Sequence, residues 1–309
     1  MTQPFGLTRR HALLAGACAP LVVARPTPTL AKAPQQGAAL PQFSRFMLGA
    51  FEVTTLLAAT RTVDNPHTIF GLNASEEEFA AASRTAFLPT DMAQFFFTPT
   101  LVNTGAALIL FDTGTDPAGI TAALSAAGYA PGDVDMVVLT HMHPDHIGGM
   151  ATEGAPTFPN AGYAAGALEY NHWSGAANEL FDKNVRPFAE RTAMLDDGGT
   201  VAPGITAVSA FGHTPGHLAF MVENGGKALM ITADTANHPV WSLARPDWEV
   251  KFDADKPAAA AARSKIFGMI ASERIPFVGY HMPFPATGFV EAEGDGFRYV
   301  PSSYQLMLG

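Results

Sequence analysis

Three histidines and an aspartate lie within six residues of one segment, "HMHPDH" at 141–146. His141 and His143 are two residues apart, so in an extended segment both imidazoles point to the same side. Pro144 favours a bend after them, which lets the segment offer two imidazoles to one cation, and a carboxylate with the third imidazole to another. Without a cation, these crowded polar groups would lack partners. The segment therefore predicts metal binding.

Four groups cannot complete two metal sites, so further ligands must come from other segments. Three metal-affine residues end predicted strands: His217 closes "HTPGH", Asp234 ends "ALMITAD" and His281 ends "FVGYH". If those strands are neighbours, their ends meet at one edge of a sheet. We expect two divalent metal ions. Histidine and carboxylate ligands make zinc the first expectation, with manganese, cobalt and iron as alternatives.

The elements that would position these residues are strands and helices in two similar halves. "VDMVVLT" at 134–140 is a continuous apolar run, typical of a buried strand, and it leads into the first motif. "SEEEFAAASR" at 75–84 predicts a capped helix. The pattern predicts one α/β domain with its chemistry at strand ends. Further strands are predicted at 45–57, 95–114, 204–212, 218–234, 276–281 and 288–302, and further helices at 116–129, 166–196 and 256–275.

The N-terminal residues predict export. Arg9 and Arg10 precede an apolar stretch at 12–24, a pattern that resembles a twin-arginine signal; a membrane anchor is the alternative. We expect a periplasmic or secreted protein, with no stable membrane insertion once the signal is removed. The predicted organisation is an export signal at 1–33, a linker at 34–44 and a catalytic domain at 45–309.

The charge of the chain argues against a nucleic-acid partner. The 309 residues carry a net charge of −10, from 18 basic and 28 acidic residues. Removal of 1–33 would take away four basic residues and no acidic one, which leaves 14 basic against 28 acidic residues. Such a surface repels phosphate backbones. Cys18 is the one cysteine and lies within the signal, so neither disulfides nor thiolate ligands are expected in the mature domain.

"HMHPDH" fits the H-x-H-x-D-H signature of the metallo-β-lactamase superfamily, and "FDTG" at 111–114, "HTPGH", the aspartate at 234 and the histidine at 281 resemble its other motifs in the same order. The resemblance implies an αβ/βα sandwich of two mixed β-sheets flanked by helices, with a dinuclear site at one edge. His213, which opens "HTPGH", is not the matching position and is expected to be structural. By motif, one metal would be held by His141, His143 and His217, the other by Asp145, His146 and His281, with Asp234 bridging them and Asp112 supporting the ligand loop.

Several short segments resemble particular groups within this superfamily. "LVNTG", "FPNA" and "GFRYVP" resemble the methyl parathion hydrolases, whose neighbours are the quorum-quenching N-acyl homoserine lactonases. Many of those lactonases carry a tyrosine three residues after the bridging aspartate, and this chain has Asn237 there. The departure counts against a lactonase of that particular type without excluding lactone hydrolysis.

The resemblance implies a hydrolase of neutral ester-type substrates: phosphotriesters, aryl esters or lactones. A hydroxide shared by two cations would attack, and Asp145 or Asp234 would relay a proton. The alternatives are a β-lactamase-type amide hydrolase, a mononuclear iron thiol-oxygenase and a non-catalytic metal-binding protein. The sequence does not determine the oligomeric state, and a homodimer is possible. The acidic surface disfavours strongly anionic small-molecule substrates unless basic residues gather at the pocket. The expected substrate contacts are Met142, Trp173, His238, Trp241 and Phe284.

Overall fold

The computed structural model describes residues 34–303. The chain divides into a unit at 1–39 and a unit at 40–309. In the first unit, the described residues 34–39 form neither helix nor strand, and the predicted export signal lies outside the described residues. In the second unit, the first strand already begins at Phe43, two residues before the predicted domain boundary. Within 34–303, no helix is both long and apolar enough to cross a membrane.

Eighteen strands are found in the described part of the chain, and most of them belong to two seven-stranded sheets. The first sheet has the order β1-β2-β5-β6-β7-β10-β11 and the second the order β12 to β18, while β3-β4 and β8-β9 form separate pairs. The strands are β1 (Phe43–Leu48), β2 (Phe51–Leu56), β3 (Ala59–Asp64), β4 (Met92–Phe97), β5 (Thr100–Asn103), β6 (Leu108–Phe111), β7 (Met136–Leu139), β8 (Ala151–Thr152), β9 (Ala155–Pro156), β10 (Gly162–Gly166), β11 (Thr192–Leu195), β12 (Thr200–Ala202), β13 (Ile205–Ser209), β14 (Leu218–Asn224), β15 (Lys227–Ala233), β16 (Phe277–Gly279), β17 (Thr287–Glu293) and β18 (Gly296–Pro301).

Six α-helices accompany the strands in this region. The helix predicted from "SEEEFAAASR" begins after Ser75, whose hydroxyl accepts from the backbone N–H of Glu78 while the Glu78 carboxylate accepts from the N–H of Ser75. The region predicted as helical at 166–196 holds two helices and then ends in β11, which extends the first sheet. The helices are α1 (Glu76–Thr85), α2 (Pro117–Ala126), α3 (Pro144–Ile147), α4 (Ala167–Gly175), α5 (Glu179–Asn184) and α6 (Lys256–Glu273).

Both sheets are mixed, which confirms the predicted fold class. In the first sheet, β6, β7, β10 and β11 run parallel and the remaining pairs antiparallel. In the second sheet, β15 and β16 run parallel and the other pairs antiparallel. Parallel strands need crossover helices, and α2 and α6 supply such crossovers between β6 and β7 and between β15 and β16.

The apolar residues fill the space between the sheets and cover their outer faces. Phe111 of the first sheet meets Phe220 of the second, with ring centroids 5.1 Å apart. Leu110 points the other way and packs with Ile120 of α2. Because β6 and β7 bury both faces, they read as unbroken apolar runs. On the outer side of the second sheet, Phe267 of α6 packs against β16.

Candidate metal centre

The polar residues of the predicted site follow the ends of strands that are neighbours in the two sheets. Asp112 follows β6 and His141 follows β7, and these strands are parallel neighbours. Asp234 and His281 follow β15 and β16, the parallel pair of the second sheet. The backbone N–H of Leu218 donates to the carbonyl of Thr140 at 2.9 Å and so joins the two edges. The four strand ends therefore meet at one place.

Three imidazoles form the first group of candidate ligands: His141, His143 and His213. The Nδ1 atom of His143 lies 3.1 Å from Nε2 of His141 and 3.0 Å from Nε2 of His213. These ring nitrogens face one another, so without a cation they must share protons. A bound cation would take the place of those protons.

The second group consists of Asp145, His146, Asp234 and His281. Nε2 of His281 lies 3.3 Å from the Asp145 carboxylate and 3.2 Å from Oδ2 of Asp234. That same Oδ2 lies 3.3 Å from Nε2 of His213, which belongs to the first group. Asp234 therefore reaches both groups, as a bridging carboxylate must.

Two buried atoms of this group fit a bound cation. Nε2 of His146 and Oδ1 of Asp234 lie 3.2 Å apart, yet neither makes a hydrogen bond within the described chain. Buried polar atoms almost always have a hydrogen-bond partner, and a buried atom that lacks one costs about 1–3 kcal/mol of stability. A cation coordinated by both would supply the missing partner.

Each candidate histidine except His143 has its Nδ1 atom occupied by a second group that turns Nε2 to the centre. The Asp112 carboxylate accepts from Thr140 Oγ1 at 2.8 Å, so the Thr140 oxygen is left to accept from Nδ1 of His141 at 3.1 Å. Asp112 also accepts from Nδ1 of His146 at 2.8 Å. Nδ1 of His281 donates to the carbonyl of Phe96 at 2.8 Å. Such contacts fix the tautomer that presents Nε2 to a metal.

The structure differs from the prediction in which histidine of "HTPGH" lies with the candidate ligands. His217 was expected as a ligand, but its Nδ1 faces the carbonyl of Ala210 at 3.1 Å and its Nε2 accepts from the backbone N–H of Asp234 at 3.3 Å. Both ring nitrogens are therefore engaged with backbone. His213, expected to be structural, is the one that joins His141 and His143.

The position of His213 depends on a buried ion pair that the sequence analysis missed. Nδ1 of His213 contacts Asp253 at 2.8 Å, and the other oxygen of Asp253 accepts from the guanidinium of Arg263 at 3.0 Å. Arg263 is fully buried in α6 and also donates to the carbonyls of Thr235 and Pro246. No motif marks these residues, because their connection exists only once α6 packs against the loop after Asp234.

A second residue without a sequence signal, Glu169 of α4, joins the two histidine loops. Its buried carboxylate accepts from the backbone N–H of Met142 at 3.0 Å and from that of Gly216 at 2.9 Å. It also accepts from the Thr214 hydroxyl at 2.7 Å and from the Trp173 indole at 2.6 Å. A side chain on Gly216 would collide with Glu169, since its Cβ would lie 2.1 Å from the Glu169 nitrogen.

The protonation of the metal-free site follows from burial and from the neighbouring carboxylates. Burial lowers the pKa of His141 well below its usual value and that of His143 to about 4, so both imidazoles are neutral. Burial also opposes the charged forms of His213 and His281, but the surrounding aspartates outweigh it and raise the two pKa values to about 9 and about 10. A burial penalty on Asp234 is likewise outweighed by His281 and His146, which hold its pKa well below the usual range. A cation would therefore displace protons when it binds.

The two groups open onto a cavity of about 760 Å³. His143, Asp145, Asp234 and His281 line it on the side of the candidate ligands. The remaining walls are largely apolar and come from the β3–β4 pair and from the segments around 69 and 252. Their lining residues are Ala59, Thr60, Arg61, Val63, Ile69, Phe95, Phe97, Thr115, Pro144, Lys251 and Phe252.

The five expected substrate contacts do not line this cavity, which corrects a further prediction. Met142 is buried in the apolar core beside α2, and Trp173 is held by Glu169. Trp241 is buried and donates to the Ser83 hydroxyl at 2.9 Å, and the ring of His238 stacks on it at 3.9 Å. Phe284 is half-buried before the cis peptide to Pro285. The position of a residue near a motif in the sequence does not show whether its side chain packs in the core or lines the cavity.

Comparison with known proteins identifies the superfamily to which the chain belongs. Residues 98–271, more than half of the chain, match the family model of the metallo-beta-lactamase superfamily. The chain belongs to that superfamily, which is the class of hydrolase that its two mixed sheets and its histidine and aspartate cluster define.

Individual relatives share parts of the chain. The N-acyl homoserine lactonase AttM of Agrobacterium fabrum is 32% identical over 124 residues, which are 37% of this chain and 45% of that protein. The AttM lactonase of Azorhizobium caulinodans is 31% identical over 129 residues, 38% of this chain and 47% of that protein. The chain thus matches less than half the length of these curated relatives.

Two solved structures resemble the chain over most of its length. AidC, a dizinc quorum-quenching lactonase solved with a product, has a TM-score of 0.78 at 25% identity and covers 84% of this chain and 97% of its own. The hydrolase AbOPH of the beta-lactamase superfamily has a TM-score of 0.77 at 22% identity, with 86% and 99% covered. The second likeness concerns the fold alone.

Proposed function

We propose that the chain is a dinuclear metal-dependent hydrolase of ester-type substrates, with lactones as the first substrate class. The observation that carries the proposal is the convergence of seven candidate ligands in two groups, with Asp234 within reach of both, beside a largely apolar cavity. The relatives named as lactonases favour lactones. Aryl esters and phosphotriesters are further candidates for the same chemistry.

The proposed ligand set follows the two groups. His141, His143 and His213 would hold one cation, Asp145, His146 and His281 the other, and Asp234 would bridge them. When bound, two divalent cations, zinc first among them, would lower the pKa of water so that hydroxide forms near neutral pH, and would polarise the scissile carbonyl. Asp112, Asp253 and the carbonyl of Phe96 would keep three of the imidazoles oriented.

Asp145 is the residue best placed to move a proton. Its side chain is 24% exposed and lines the cavity, whereas that of Asp234 is 4% exposed. In the proposed hydrolysis, the water oxygen forms the new bond to the carbonyl carbon and the bond to the leaving oxygen breaks. The Asp145 carboxylate takes the proton that the water releases as it becomes hydroxide and gives it to the leaving oxygen, so the residue is ionised again at the end.

Elemental analysis combined with a substrate panel tests the proposal. Purified protein is expected to hold two metal ions per chain and to hydrolyse lactones or aryl esters, with activity lost to a chelator and restored by metal. One iron per chain with oxidation of thiols would indicate a thiol-oxygenase instead, and turnover confined to β-lactams an amide hydrolase. Stable metal binding without turnover of any substrate would indicate a non-catalytic metal-binding protein.

Substitution of the proposed bridge tests the dinuclear mechanism. Asp234→Ala removes the one carboxylate that approaches both groups, so we expect loss of most activity together with reduced metal content. Full activity with both metals retained would refute the bridging role.

Export is proposed from the sequence pattern alone. The paired arginines and apolar stretch of 1–33 favour a twin-arginine route and a periplasmic or secreted location. Cell fractionation with and without Arg9→Lys and Arg10→Lys tests this, and an unchanged location would contradict it.

A further inference from the structure

Two basic side chains, Arg61 and Lys251, line the cavity beside the candidate metal centre. Both residues are exposed, and within residues 34–303 neither side chain has an acidic partner. The acidic composition disfavours anionic substrates unless basic residues gather at the pocket. The fold brings together two such residues that lie 190 positions apart in the chain.

Arg61 is connected to the site through the β3–β4 pair. It lies opposite Phe95 in the strand register, and Ala59 lies opposite Phe97. The rings of Phe95 and Phe97 meet the imidazole of His281 edge-on, with centroids 5.5 and 5.4 Å apart. Directly opposed residues hold their Cβ atoms about 4.5–5.5 Å apart. Arg61 is therefore paired in the strand register with Phe95, whose ring contacts the candidate ligand His281.

Lys251 belongs to the segment that supports His213. Its backbone N–H donates to the carbonyl of Ile69 at 2.8 Å, and Val250 forms a bridge with Phe70. Two residues further on, Asp253 contacts His213. This attachment holds the backbone of Lys251 in place while its ammonium group is free to turn toward the cavity.

The charge of the cavity differs from that of the chain. The charged lining residues are Arg61, Lys251, Asp145 and Asp234, so their formal charges cancel. Two divalent cations with the proposed hydroxide would leave the cavity with a formal charge of +3, in a chain whose net charge is −10. Apolar walls strengthen such a field, because they lower the local dielectric constant. An anionic group is therefore stabilised inside the cavity although the surface repels it.

The walls between the metal centre and the basic groups are apolar. Phe95, Phe97 and Ile69 are buried, and Phe252, next to Lys251, is 42% exposed. This arrangement matches a ligand with an ester at one end, an apolar middle and an anion at the other end. A guanidinium group binds a carboxylate through two parallel hydrogen bonds, which makes a carboxylate the best match for Arg61.

We propose that Arg61 and Lys251 bind a substrate carboxylate that is separated from the scissile ester bond by an apolar segment. This inference rests on the proposed ester hydrolysis and names its substrate class: esters or lactones with a carboxylate-bearing arm. Both residues determine specificity, and neither takes part in bond breaking.

Ester pairs matched in length test the inference with the metal-loaded protein. One pair is 4-nitrophenyl hexanoate and mono-4-nitrophenyl adipate, which places the carboxylate on the acyl arm, and a second pair places it on the alcohol arm. We expect kcat/KM to be about tenfold higher for the anionic member of at least one pair. The preference should shrink as salt is raised, because exposed charges are screened.

Arg61→Gln and Lys251→Gln assign the preference to the two residues. Each is expected to raise KM for the anionic ester by about three- to tenfold more than KM for the neutral ester. Lys227→Gln removes an exposed charge at the β14–β15 turn and should leave the preference intact. Calorimetry with adipate and hexanoate measures binding without turnover. Adipate should bind more tightly than hexanoate to the unmodified protein, and this difference should disappear in the double variant Arg61→Gln/Lys251→Gln.

An equal or lower kcat/KM for both anionic esters would overturn the inference, and so would a preference that survives in the double variant. If no ester of either kind is hydrolysed, the proposed function fails. Tighter binding of adipate than of hexanoate, lost in the double variant, would still establish the carboxylate site in that case, and equal binding would reject it.

Discussion

The two histidine motifs of this chain differ in how far their spacing determines their roles. In "HMHPDH", His141, His143, Asp145 and His146 all belong to the candidate ligand groups. In "HTPGH", His213 joins the ligands and His217 faces backbone groups. The first motif combines a strand end with the short helix α3, and all four of its metal-affine side chains reach the centre. The second is a loop whose histidines are distinguished by distant partners.

The difference shows what decides whether a histidine can bind a metal. His213 meets a carboxylate at Nδ1 and keeps Nε2 directed at the centre. Both ring nitrogens of His217 contact backbone groups, Nδ1 the carbonyl of Ala210 and Nε2 the N–H of Asp234. A ligand needs one free lone pair, and the surrounding fold, not the motif, determines which ring keeps it.

Replacing the two histidines separately tests their different roles and should give the strongest loss of activity. His213→Ala should lower kcat/KM by about a hundredfold or more, because a lost ligand costs several kcal/mol of transition-state stabilisation. It should also reduce the metal content toward one ion per chain. His217→Gln keeps a polar side chain near the same backbone groups and should retain both ions. Elemental analysis of the two purified variants decides between the histidines, and the reverse pattern would restore His217 as the ligand.

Removing the carboxylate that contacts Nδ1 of His213 tests why this histidine is the ligand. Asp253→Asn should weaken the affinity of the first group for metal by about 10- to 100-fold, as such outer contacts typically do. It also leaves the buried guanidinium of Arg263 without its counter-ion, so the free energy of unfolding should fall by about 3–5 kcal/mol. Metal titration and urea denaturation measure the two effects.

The matched control for Asp253 is Asp247→Asn, an exposed position with the same change of charge. It should leave both quantities near their original values. Equal metal affinity in the Asp253 variant and the unmodified protein would contradict the supporting role of Asp253.

The smallest expected effect concerns His238, which was predicted to contact substrate and instead begins the turn at Pro239–Leu243. Its Nδ1 accepts from the backbone N–H groups of Val240 and Trp241, both at 3.1 Å, and burial lowers its pKa from 6.5 to about 3. Between those pH values, the unfolded chain binds a proton at His238 and the folded chain does not. The free energy of unfolding therefore falls as the pH falls, by about 2 kcal/mol from pH 6.5 to 5.

His238→Asn keeps an acceptor at this position and removes the titrating group. The loss of stability between pH 6.5 and 5 should be smaller by that amount in the variant. Urea denaturation at both pH values and at equal metal loading measures the difference, and parallel pH profiles would show that His238 does not titrate this way.

Local pattern was a good guide to the elements. The apolar runs of β6 and β7, the capping box before α1 and the turn residues of the β14–β15 and β17–β18 hairpins are each determined by neighbours in the chain, and their positions agree with the predictions to within a few residues. β3 was missed, since most of its residues are exposed and give little apolar signal. That omission also hid the wall of the cavity that carries Arg61.

The superfamily, the two mixed sheets and six of the seven candidate ligands could be predicted from the sequence, because strand ends and a dense cluster of metal-affine residues are local features. The remaining ligand and the lining of the cavity are visible only in the folded chain. Those depend on contacts between residues far apart in the chain: Asp253 with His213, Glu169 with both histidine loops, and Arg61 with Lys251 across one cavity. The physical reason is that hydrogen-bond partners and cavity walls are properties of packed elements, and no spacing within a single segment contains them.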